Sequence, residues 1–310
     1  MNKWMNLEVS GLPQKIFKAA EIKKRPSWFA DILVLTKLRV NLLVVGTAFV
    51  GFALNADIVF NWYLLINTLI GTGLVAGSAA AANQAMEMKF DRDMVRTQNR
   101  PLAAGRLGRG TGIIVCVTLL LAGCFWLGVA VNLRAMSLAL LTFLMYAFAY
   151  TPMKRHSPAC LFIGAIPGAL PILIGWAATG AAFGLWTIVA FGILFLWQIP
   201  HFLAIAWWQK TDYARAGFQV LRCDDHLGFR TASRALVYAA AMVGLSFTPF
   251  LAHRVNGWYM SGGLVLGIVI IFASIRFLAI RTDATARSLF ITSLFYLPGL
   301  YLLMLLCKRV

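Results

Sequence analysis

The stretch WYLLINTLIGTGLVAGSAAAANQAMEMKFDRD, residues 62–93, joins an apolar segment directly to a polar one. Residues 62–82 contain no charged side chain, and they are long enough to cross a bilayer as an α-helix, which needs about 20 apolar residues. Asn83, Glu87 and Asp91 follow immediately. The stretch therefore predicts a transmembrane helix that ends in a polar site at the membrane boundary.

The composition extends this prediction to the whole chain. Its 310 residues are 60% hydrophobic and 13% charged, so a water-soluble fold would have too few polar side chains to cover its surface. Continuously apolar runs favour helices over the alternating strands of a membrane barrel. We expect an all-α integral membrane protein, with a segment 1–31 followed by one polytopic domain, 32–310. Its nine predicted spans are 32–54, 62–82, 111–131, 135–151, 159–178, 183–208, 235–252, 258–277 and 286–306.

The basic residues fall almost entirely on one side of these spans. The net charge of +17 is compatible with nucleic-acid binding, but with the N-terminal segment inside, the positive-inside rule accounts for the excess. Four of the 28 Lys and Arg residues remain on the other side: Arg134, Arg254, Lys308 and Arg309. We therefore expect a lipid bilayer and no nucleic acid as partner. Acidic residues within 1–31 argue against a mitochondrial presequence and favour a prokaryotic plasma membrane, with the N-terminus and polar loops cytoplasmic.

Six of the eleven acidic residues lie in two predicted cytoplasmic loops. In the first loop, Asn83, Glu87 and Asp91 recur every four residues, so a continued helix would place them on one face. Amide and carboxylate oxygens are the ligands that Mg²⁺ prefers. Arg92, Arg96 and Arg100 recur at the same spacing and could offer guanidinium groups to a diphosphate. The alternative is a solvated helix end in which the acids only offset neighbouring cations.

The second loop, WWQKTDYARAGFQVLRCDDHLGFRTASR, residues 207–234, follows the sixth span and returns to the same side. It offers Asp212 among Lys210, Tyr213 and Arg215. The recurrence of an acidic and basic loop four helices later suggests an internal duplication, with two half-sites facing one cavity. The pair at 224 and 225 is interpreted as a solvated acidic turn.

One series of residues resembles the signature of the UbiA-type intramembrane prenyltransferases: Asn83, Glu87, Asp91, Met94, Arg96, Thr97, Arg100, Pro101 and Leu102. Further similarities are TKLRV at 36–40, YTPMKR at 150–155, GAIPGALPILIGW at 164–176, WQIPHF at 197–202 and DYARAGF at 212–218. The resemblance implies a helical bundle around a central cavity, in which a prenyl group is transferred from its diphosphate.

Gln84, Glu87, Met94 and WQIPHF resemble the branch of this family that prenylates heme, whereas quinone-pathway members usually have Asp at positions 84 and 87. The branch implies farnesyl diphosphate and protoheme IX as substrates, Mg²⁺ as cofactor, and a heme A synthase or terminal oxidase as possible partner. One departure follows Gly217: this branch commonly continues with Ile-Pro-Met-Leu, whereas this chain has Phe218, Gln219, Val220 and Leu221. A prenyltransferase of a quinone-ring precursor and a secondary transporter remain alternatives.

The resemblance also implies residue roles. Asn83, Glu87, Asp91 and Asp212 would be catalytic and would hold Mg²⁺. Lys154 and Arg155 would contact diphosphate or heme propionates, or only anchor the loop. His201 would contact heme, or only bond to a neighbouring helix. The glycines of the fifth span indicate close helix packing or space for a flat heme. The implied substrate-binding residues are Arg92, Arg96, Arg100, Lys154, Arg155, Lys210, Tyr150, Tyr213, Arg215 and His201.

Overall fold

The structure is a computed structural model that describes residues 26–55, 60–221 and 224–309. Helices make up its regular structure in these ranges, apart from one isolated β-bridge. The helices are α1 Trp28–Leu35, α2 Leu38–Asn55, α3 Trp62–Asp91, α4 Arg109–Ala130, α5 Leu133–Leu144, α6 Thr151–Met153, α7 Cys160–Ala178, α8 Leu185–Trp208, α9 Lys210–Arg215, α10 Phe229–Ser246, α11 Thr248–Leu251, α12 Gly257–Ile280 and α13 Asp283–Leu306.

Nine segments of the described chain are long and apolar enough to cross a membrane. Two of them combine short elements: α5 continues through a π-helical turn, Met145–Tyr150, into α6, and α10 continues into α11. The prediction of an all-α membrane protein with nine spans is therefore confirmed. Residues 1–25 of the predicted N-terminal segment lie outside the described residues, and the predicted boundary at 31 falls inside α1.

Two predicted spans differ at their polar ends. The first is broken between α1 and α2, where Lys37 adopts a left-handed φ of 49°. The second extends to Asp91, so α3 has 30 residues and is about 45 Å long at 1.5 Å per residue. Because the hydrocarbon core is only about 30 Å thick, the last turns of α3 lie at or beyond its edge. These two departures bring Lys37 and the polar end of α3 together.

The helices divide into an inner and an outer set. The most apolar part of α7 is 72% buried, whereas that of α4 is 17% buried. The outer helices carry large exposed apolar side chains, such as Ile114 and Phe125 on α4. Such a surface is stable only when lipid is the solvent.

The backbones of α2 and α7 approach closely at two glycines. A Cβ atom on Gly51 would lie 1.9 Å from the Ile172 carbonyl oxygen, and one on Gly175 would lie 1.8 Å from the Ala48 carbonyl oxygen. Glycine at both positions permits the backbone contact that holds membrane helices together. The predicted close helix packing is present here.

The rest of the glycine-rich face of α7 is also covered by protein. The ring of Tyr150 packs against Gly164, and the Gln198 side chain packs against Gly168. Side chains from neighbouring helices therefore fill the space beside these two glycines, as the close-packing alternative expects.

Candidate active site

The polar end of α3 forms a row of buried oxygen-bearing side chains. Asn83, Glu87 and Asp91 lie on successive turns of the continued helix, and each is at most 5% exposed. The helix ends at Asp91, whose carbonyl oxygen accepts a hydrogen bond from Thr97 Oγ1 at 3.0 Å. The predicted arrangement on one helix face is therefore present, and it is buried rather than solvated.

Each member of this row contacts a basic side chain from another segment. Lys154 Nζ lies 2.9 Å from Glu87 Oε1. Arg100 Nη1 lies 2.8 Å from both carboxylate oxygens of Asp91. A buried carboxylate without a counter-charge is strongly unfavourable, so these cations stabilise the acids.

Lys37 completes this arrangement. Its Nζ donates to Asn83 Oδ1 at 3.0 Å, and Asn83 Nδ2 donates to Thr151 Oγ1 at 3.4 Å. Burial, followed by the positive charges of Arg100 and Lys154, lowers the pKa of Lys37 to about 7. No role for Lys37 or Thr151 could be predicted from the sequence. A single lysine at the start of an apolar run resembles an ordinary membrane anchor. Only its position in TKLRV, one of the stretches similar to the family, could have indicated a role in the site.

The second loop contacts the first. The backbone N–H of Arg96 donates to Asp212 Oδ2 at 3.3 Å. Asp212 is buried, and Arg215 Nη1 lies 3.6 Å from its Oδ1. The backbone N–H of Gln219 also donates to the Lys154 carbonyl oxygen at 2.8 Å. Three segments that are distant in sequence are thus joined at one end of the bundle.

Aromatic rings pack beside this junction. Phe218, the residue that departs from the heme-branch pattern, is buried and packs edge-on against Phe90, with ring centroids 5.8 Å apart. Tyr213 packs against the Phe218 ring, with ring centroids 6.2 Å apart. The larger side chain at position 218 therefore fills the space between the two polar loops.

The oxygen atoms of the site suit Mg²⁺, although the acidic side chains do not form a preformed metal site. Among the described residues, no group of three His, Cys, Asp or Glu side chains is close enough to hold an ion. Glu87 and Asp91 are engaged by Lys154 and Arg100 instead. Hard oxygen ligands with flexible cations beside them fit a metal that arrives together with an anionic substrate.

The three arginines after α3 do not share a face, because the helix ends before them. Arg92 Nε donates to the Ala103 carbonyl oxygen at 3.0 Å and stabilises the turn. Arg96 is exposed, and its guanidinium carbon lies 5.9 Å from the centre of the Tyr213 ring. Only Arg100 reaches the α3 row. The interpretation of all three arginines as diphosphate contacts stays a prediction.

Other residues predicted to contact the substrate have protein partners in the structure. Lys210 pairs with Asp283 at the start of α13, and Arg155 lies over the Phe90 ring at 4.3 Å. Tyr150 packs below the Lys154 ammonium, 4.5 Å from the ring centre. Of these predicted contacts, only Tyr150 packs directly against a cation of the α3 row.

The acidic pair at 224 and 225 is not simply a solvated turn. Asp224 is exposed and pairs with Arg230. Asp225 Oδ2 instead accepts hydrogen bonds from the Thr231 backbone N–H and hydroxyl at 2.7 and 2.6 Å. Asp225 therefore stabilises the first turn of α10, because it satisfies a backbone donor there.

His201 lies in the interface between α8 and α13. Its Nδ1 is 2.7 Å from Ser293 Oγ, and its ring stacks on Trp197 with a centroid distance of 4.5 Å. Phe290 lies on another side at 5.0 Å. This is the packing alternative, in which the histidine bonds to a neighbouring helix.

A membrane-embedded helical bundle with a buried polar row at one end defines a class of protein: an intramembrane enzyme for substrates with an anionic head and an apolar body. Residues 44–298 match the UbiA prenyltransferase family, and the chain belongs to this family. The predicted family and the prenyltransferase class are confirmed.

Relatives and solved structures agree with this assignment. The protoheme IX farnesyltransferase of Koribacter versatilis is 37% identical, over 92% of this chain and 95% of its own. That of Solibacter usitatus is 40% identical, over 89% and 98%. Among solved structures, a digeranylgeranylglyceryl phosphate synthase superposes with a TM-score of 0.76 at 16% identity, over 90% of this chain and 98% of its own. A UbiA homolog from Archaeoglobus fulgidus, bound to DMAPP and Mg²⁺, superposes with a TM-score of 0.62 at 16% identity, over 88% and 99%.

Proposed function

We propose that this prenyltransferase transfers the farnesyl group of farnesyl diphosphate to the 2-vinyl group of protoheme IX, with addition of water, giving heme O and diphosphate. The names of the curated relatives support this acceptor. The observation that supports the location of the reaction most directly is the hydrogen bond between the Arg96 N–H and Asp212. It joins the second acidic loop to the polar end of α3.

The intramembrane location suits the donor. At about 0.8 kcal/mol per methylene-sized group, moving a farnesyl chain from lipid into water costs on the order of 10 kcal/mol. A site at the end of the bundle avoids this cost and still keeps the diphosphate near water. The length of α3 supports this location, since its last turns extend past the apolar run.

Asn83, Glu87, Asp91 and Asp212 are the residues that would hold Mg²⁺. Their oxygen atoms suit this ion, and an Archaeoglobus fulgidus relative of the same fold has been solved with Mg²⁺ and a prenyl diphosphate. Bound Mg²⁺ supplies positive charge that stabilises the departing diphosphate.

The cations beside the row supply the second half of the diphosphate site. Lys154 contacts Glu87, and Arg100 contacts Asp91. With Glu87 and Asp91 holding the ion, Lys154 and Arg100 would be free to bind the diphosphate oxygens. Arg96 adds a third cation on the exposed side, next to Tyr213.

The reaction breaks one carbon–oxygen bond and forms one carbon–carbon bond and one carbon–oxygen bond. The C1–O bond of farnesyl diphosphate breaks, and its electron pair leaves with the diphosphate, which Arg100 and Lys154 stabilise. The terminal vinyl carbon of the heme then attacks C1 with its π electrons. Water adds to the other vinyl carbon and releases a proton.

One assay tests donor, acceptor and reaction together. Membranes containing the protein would be incubated with protoheme IX, farnesyl diphosphate and Mg²⁺, and the hemes would be separated chromatographically. We expect a new heme with the mass of heme O. Prenylated aromatic products from a quinone-ring precursor, without any new heme, would contradict the proposed acceptor.

The orientation and location follow the charge pattern. We propose a multi-pass protein of a prokaryotic inner membrane, with the α3 end and the loops at 86–110, 152–158 and 209–233 facing the cytoplasm. We also propose that a heme A synthase or a terminal oxidase uses the product. This proposal follows from the proposed reaction only.

A further inference from the structure

The short helix α1 has two buried side chains of opposite character. Of its eight residues, Asp31 and Leu35 are buried, whereas Trp28 and Phe29 are each 65% exposed. Leu35 packs in an apolar cluster that includes Leu102. Asp31 is an acid, and a buried carboxylate needs a polar or charged partner. The position of α1 therefore depends on the partner of Asp31 as well as on apolar packing.

Arg106 is that partner, and it also contacts the turn that follows α3. Its Nε lies 3.0 Å from both carboxylate oxygens of Asp31, and its Nη2 lies 2.9 Å from Oδ1. The same Nη2 donates to the Asn99 carbonyl oxygen at 3.0 Å. The backbone N–H of Arg106 donates to the Pro101 carbonyl oxygen at 2.9 Å and closes the turn. The guanidinium group therefore joins α1 to the turn that carries Arg100.

The other end of α1 is fixed beside the α3 row. Gln84, which directly follows Asn83, donates from its Nε2 to the Val34 and Leu35 carbonyl oxygens at 3.0 and 2.9 Å. Lys37, two residues beyond the end of α1, donates to Asn83 Oδ1 at 3.0 Å. The eight residues of α1 rise about 12 Å at 1.5 Å per residue. The position of this short helix therefore sets where the lysine meets the row.

Orientation accounts for the buried ion pair better than stability does. The desolvation of a buried ion pair largely cancels its attraction, so apolar side chains would hold α1 about as firmly. The pair adds direction, because a bidentate contact between a planar guanidinium group and a carboxylate fixes both groups in one orientation. Direction matters at this site because charge-assisted hydrogen bonds to phosphate oxygens are short and geometrically specific.

We propose that Asp31 is a positioning residue for diphosphate binding. Through Arg106 it holds α1 and the turn after α3 in one relative position, and it thereby places Lys37 and Arg100 against the α3 row. Asp31 acts through these cations and not by its own contact with the substrate. The inference rests on the proposed function, because it takes the α3 row as the diphosphate site, but it does not depend on the acceptor or on the length of the prenyl chain.

The test measures the binding of inorganic diphosphate in the presence of Mg²⁺ to the full-length protein in detergent micelles. Isothermal titration calorimetry gives the affinity, and a thermal melt gives the stability of each variant. The test variants are D31N, R106Q and the double variant D31N/R106Q. The matched control is Y259F, which removes another buried hydrogen bond, from Tyr259 Oη to the Ser246 carbonyl oxygen at 2.7 Å, between α12 and α10.

A purely electrostatic effect and a positioning effect predict opposite results for D31N. Removal of a negative charge would strengthen diphosphate binding if charge alone mattered. We instead expect D31N and R106Q each to bind diphosphate at least fivefold more weakly than the wild type. The double variant should bind it about as D31N does, because both substitutions break the same contact. Y259F should lower the melting temperature and keep diphosphate affinity within twofold of the wild type.

R106Q leaves Asp31 buried without a counter-charge. If it does not fold for this reason, D31N and the double variant carry the test. Diphosphate binding by D31N that equals or exceeds that of the wild type would overturn the inference, and so would an equal loss of affinity in Y259F. A wild type that does not bind Mg²⁺ and diphosphate would overturn the inference together with the proposed site.

The heme O assay judges the proposed reaction separately. If the wild type forms no heme O while D31N still binds diphosphate more weakly than the wild type and Y259F do, the proposed reaction is contradicted and the positioning role of Asp31 is supported.

Discussion

Lys154 Nζ lies 2.9 Å from Glu87 Oε1, although 67 residues separate them in sequence. Burial alone would lower the pKa of Lys154, but the Glu87 carboxylate raises it well above its usual range. The lysine therefore stays charged at physiological pH. The pair keeps a cation next to a buried acid, and both groups are available to a substrate that brings its own charge.

The first prediction concerns the two acids of α3. E87Q and D91N should each lower turnover by about 100-fold or more, because each removes charge needed as the diphosphate departs. Turnover would be measured as heme O formed per minute, with membrane insertion checked by yield and thermal stability. The control is D93N, since Asp93 is exposed on the adjoining turn. Near-normal turnover in E87Q or D91N at limiting Mg²⁺ would rule out the metal assignment.

The second prediction concerns Asp212, which meets the first loop through the Arg96 N–H. D212N should lose activity to a similar extent as E87Q. D224N is its matched control, because Asp224 is an exposed acid of the same loop that pairs with Arg230. An active D212N variant would mean that the second loop contributes structure only, and the hypothesis of two half-sites would fail.

The third prediction distinguishes a specific contact of Lys154 with the diphosphate from a general effect of positive surface charge. K154Q should raise the KM for farnesyl diphosphate and lower kcat, since Lys154 would contact the diphosphate after the metal binds Glu87. K154R should recover part of the loss. K89Q, which removes an exposed lysine from α3, should resemble the wild type in steady-state kinetics. Equal kinetic defects in K154Q and K89Q would indicate an electrostatic effect of the whole surface.

The fourth prediction concerns Gln84, a marker of the heme branch. Its Nε2 donates to the Val34 and Leu35 carbonyl oxygens at 3.0 and 2.9 Å, so it fixes the end of α1 just before Lys37. Q84A should lower the melting temperature, because buried hydrogen bonds are worth about 1 kcal/mol each. It should also lower kcat while acceptor preference stays unchanged. A switch to quinone-ring acceptors, measured in a competition assay, would show that Gln84 selects the acceptor directly.

The fifth prediction concerns His201. Because its Nδ1 contacts Ser293 between α8 and α13, H201A should lower the melting temperature, and S293A should do so by a similar mechanism. The KM values for both substrates should change by less than about threefold, well under the tenfold that 1.4 kcal/mol represents. H156A is the control, since His156 is exposed on a loop. A selective rise in the KM for protoheme would instead support a direct heme contact.

The spans and the α3 row could be predicted because they depend on local patterns. Apolar runs of sufficient length specify membrane helices, and a four-residue spacing specifies one helix face. The same spacing does not place Arg92, Arg96 and Arg100 on one helix face, because α3 ends at Asp91. The sequence does not show where that helix stops, since Thr97 contacts the Asp91 carbonyl from a turn with no regular spacing.

The contacts of Lys37 and His201 depend on tertiary structure and could not be read from local patterns. Lys37 reaches Asn83 because the chain breaks in a left-handed conformation that non-glycine residues adopt infrequently. His201 lies in a helix interface rather than at an open surface because α13, 92 residues later, supplies Ser293. In both cases the partner is distant in sequence, and no periodicity relates the two residues.

The ion pairs of the α3 row also bear on how the protein is made in the cell. Zinc-finger domains remain unfolded until metal arrives, because metal binding supplies their folding energy. Here Lys154 and Arg100 neutralise Glu87 and Asp91 from within the chain. We therefore expect magnesium starvation to limit catalysis without reducing the amount of enzyme that accumulates in the membrane.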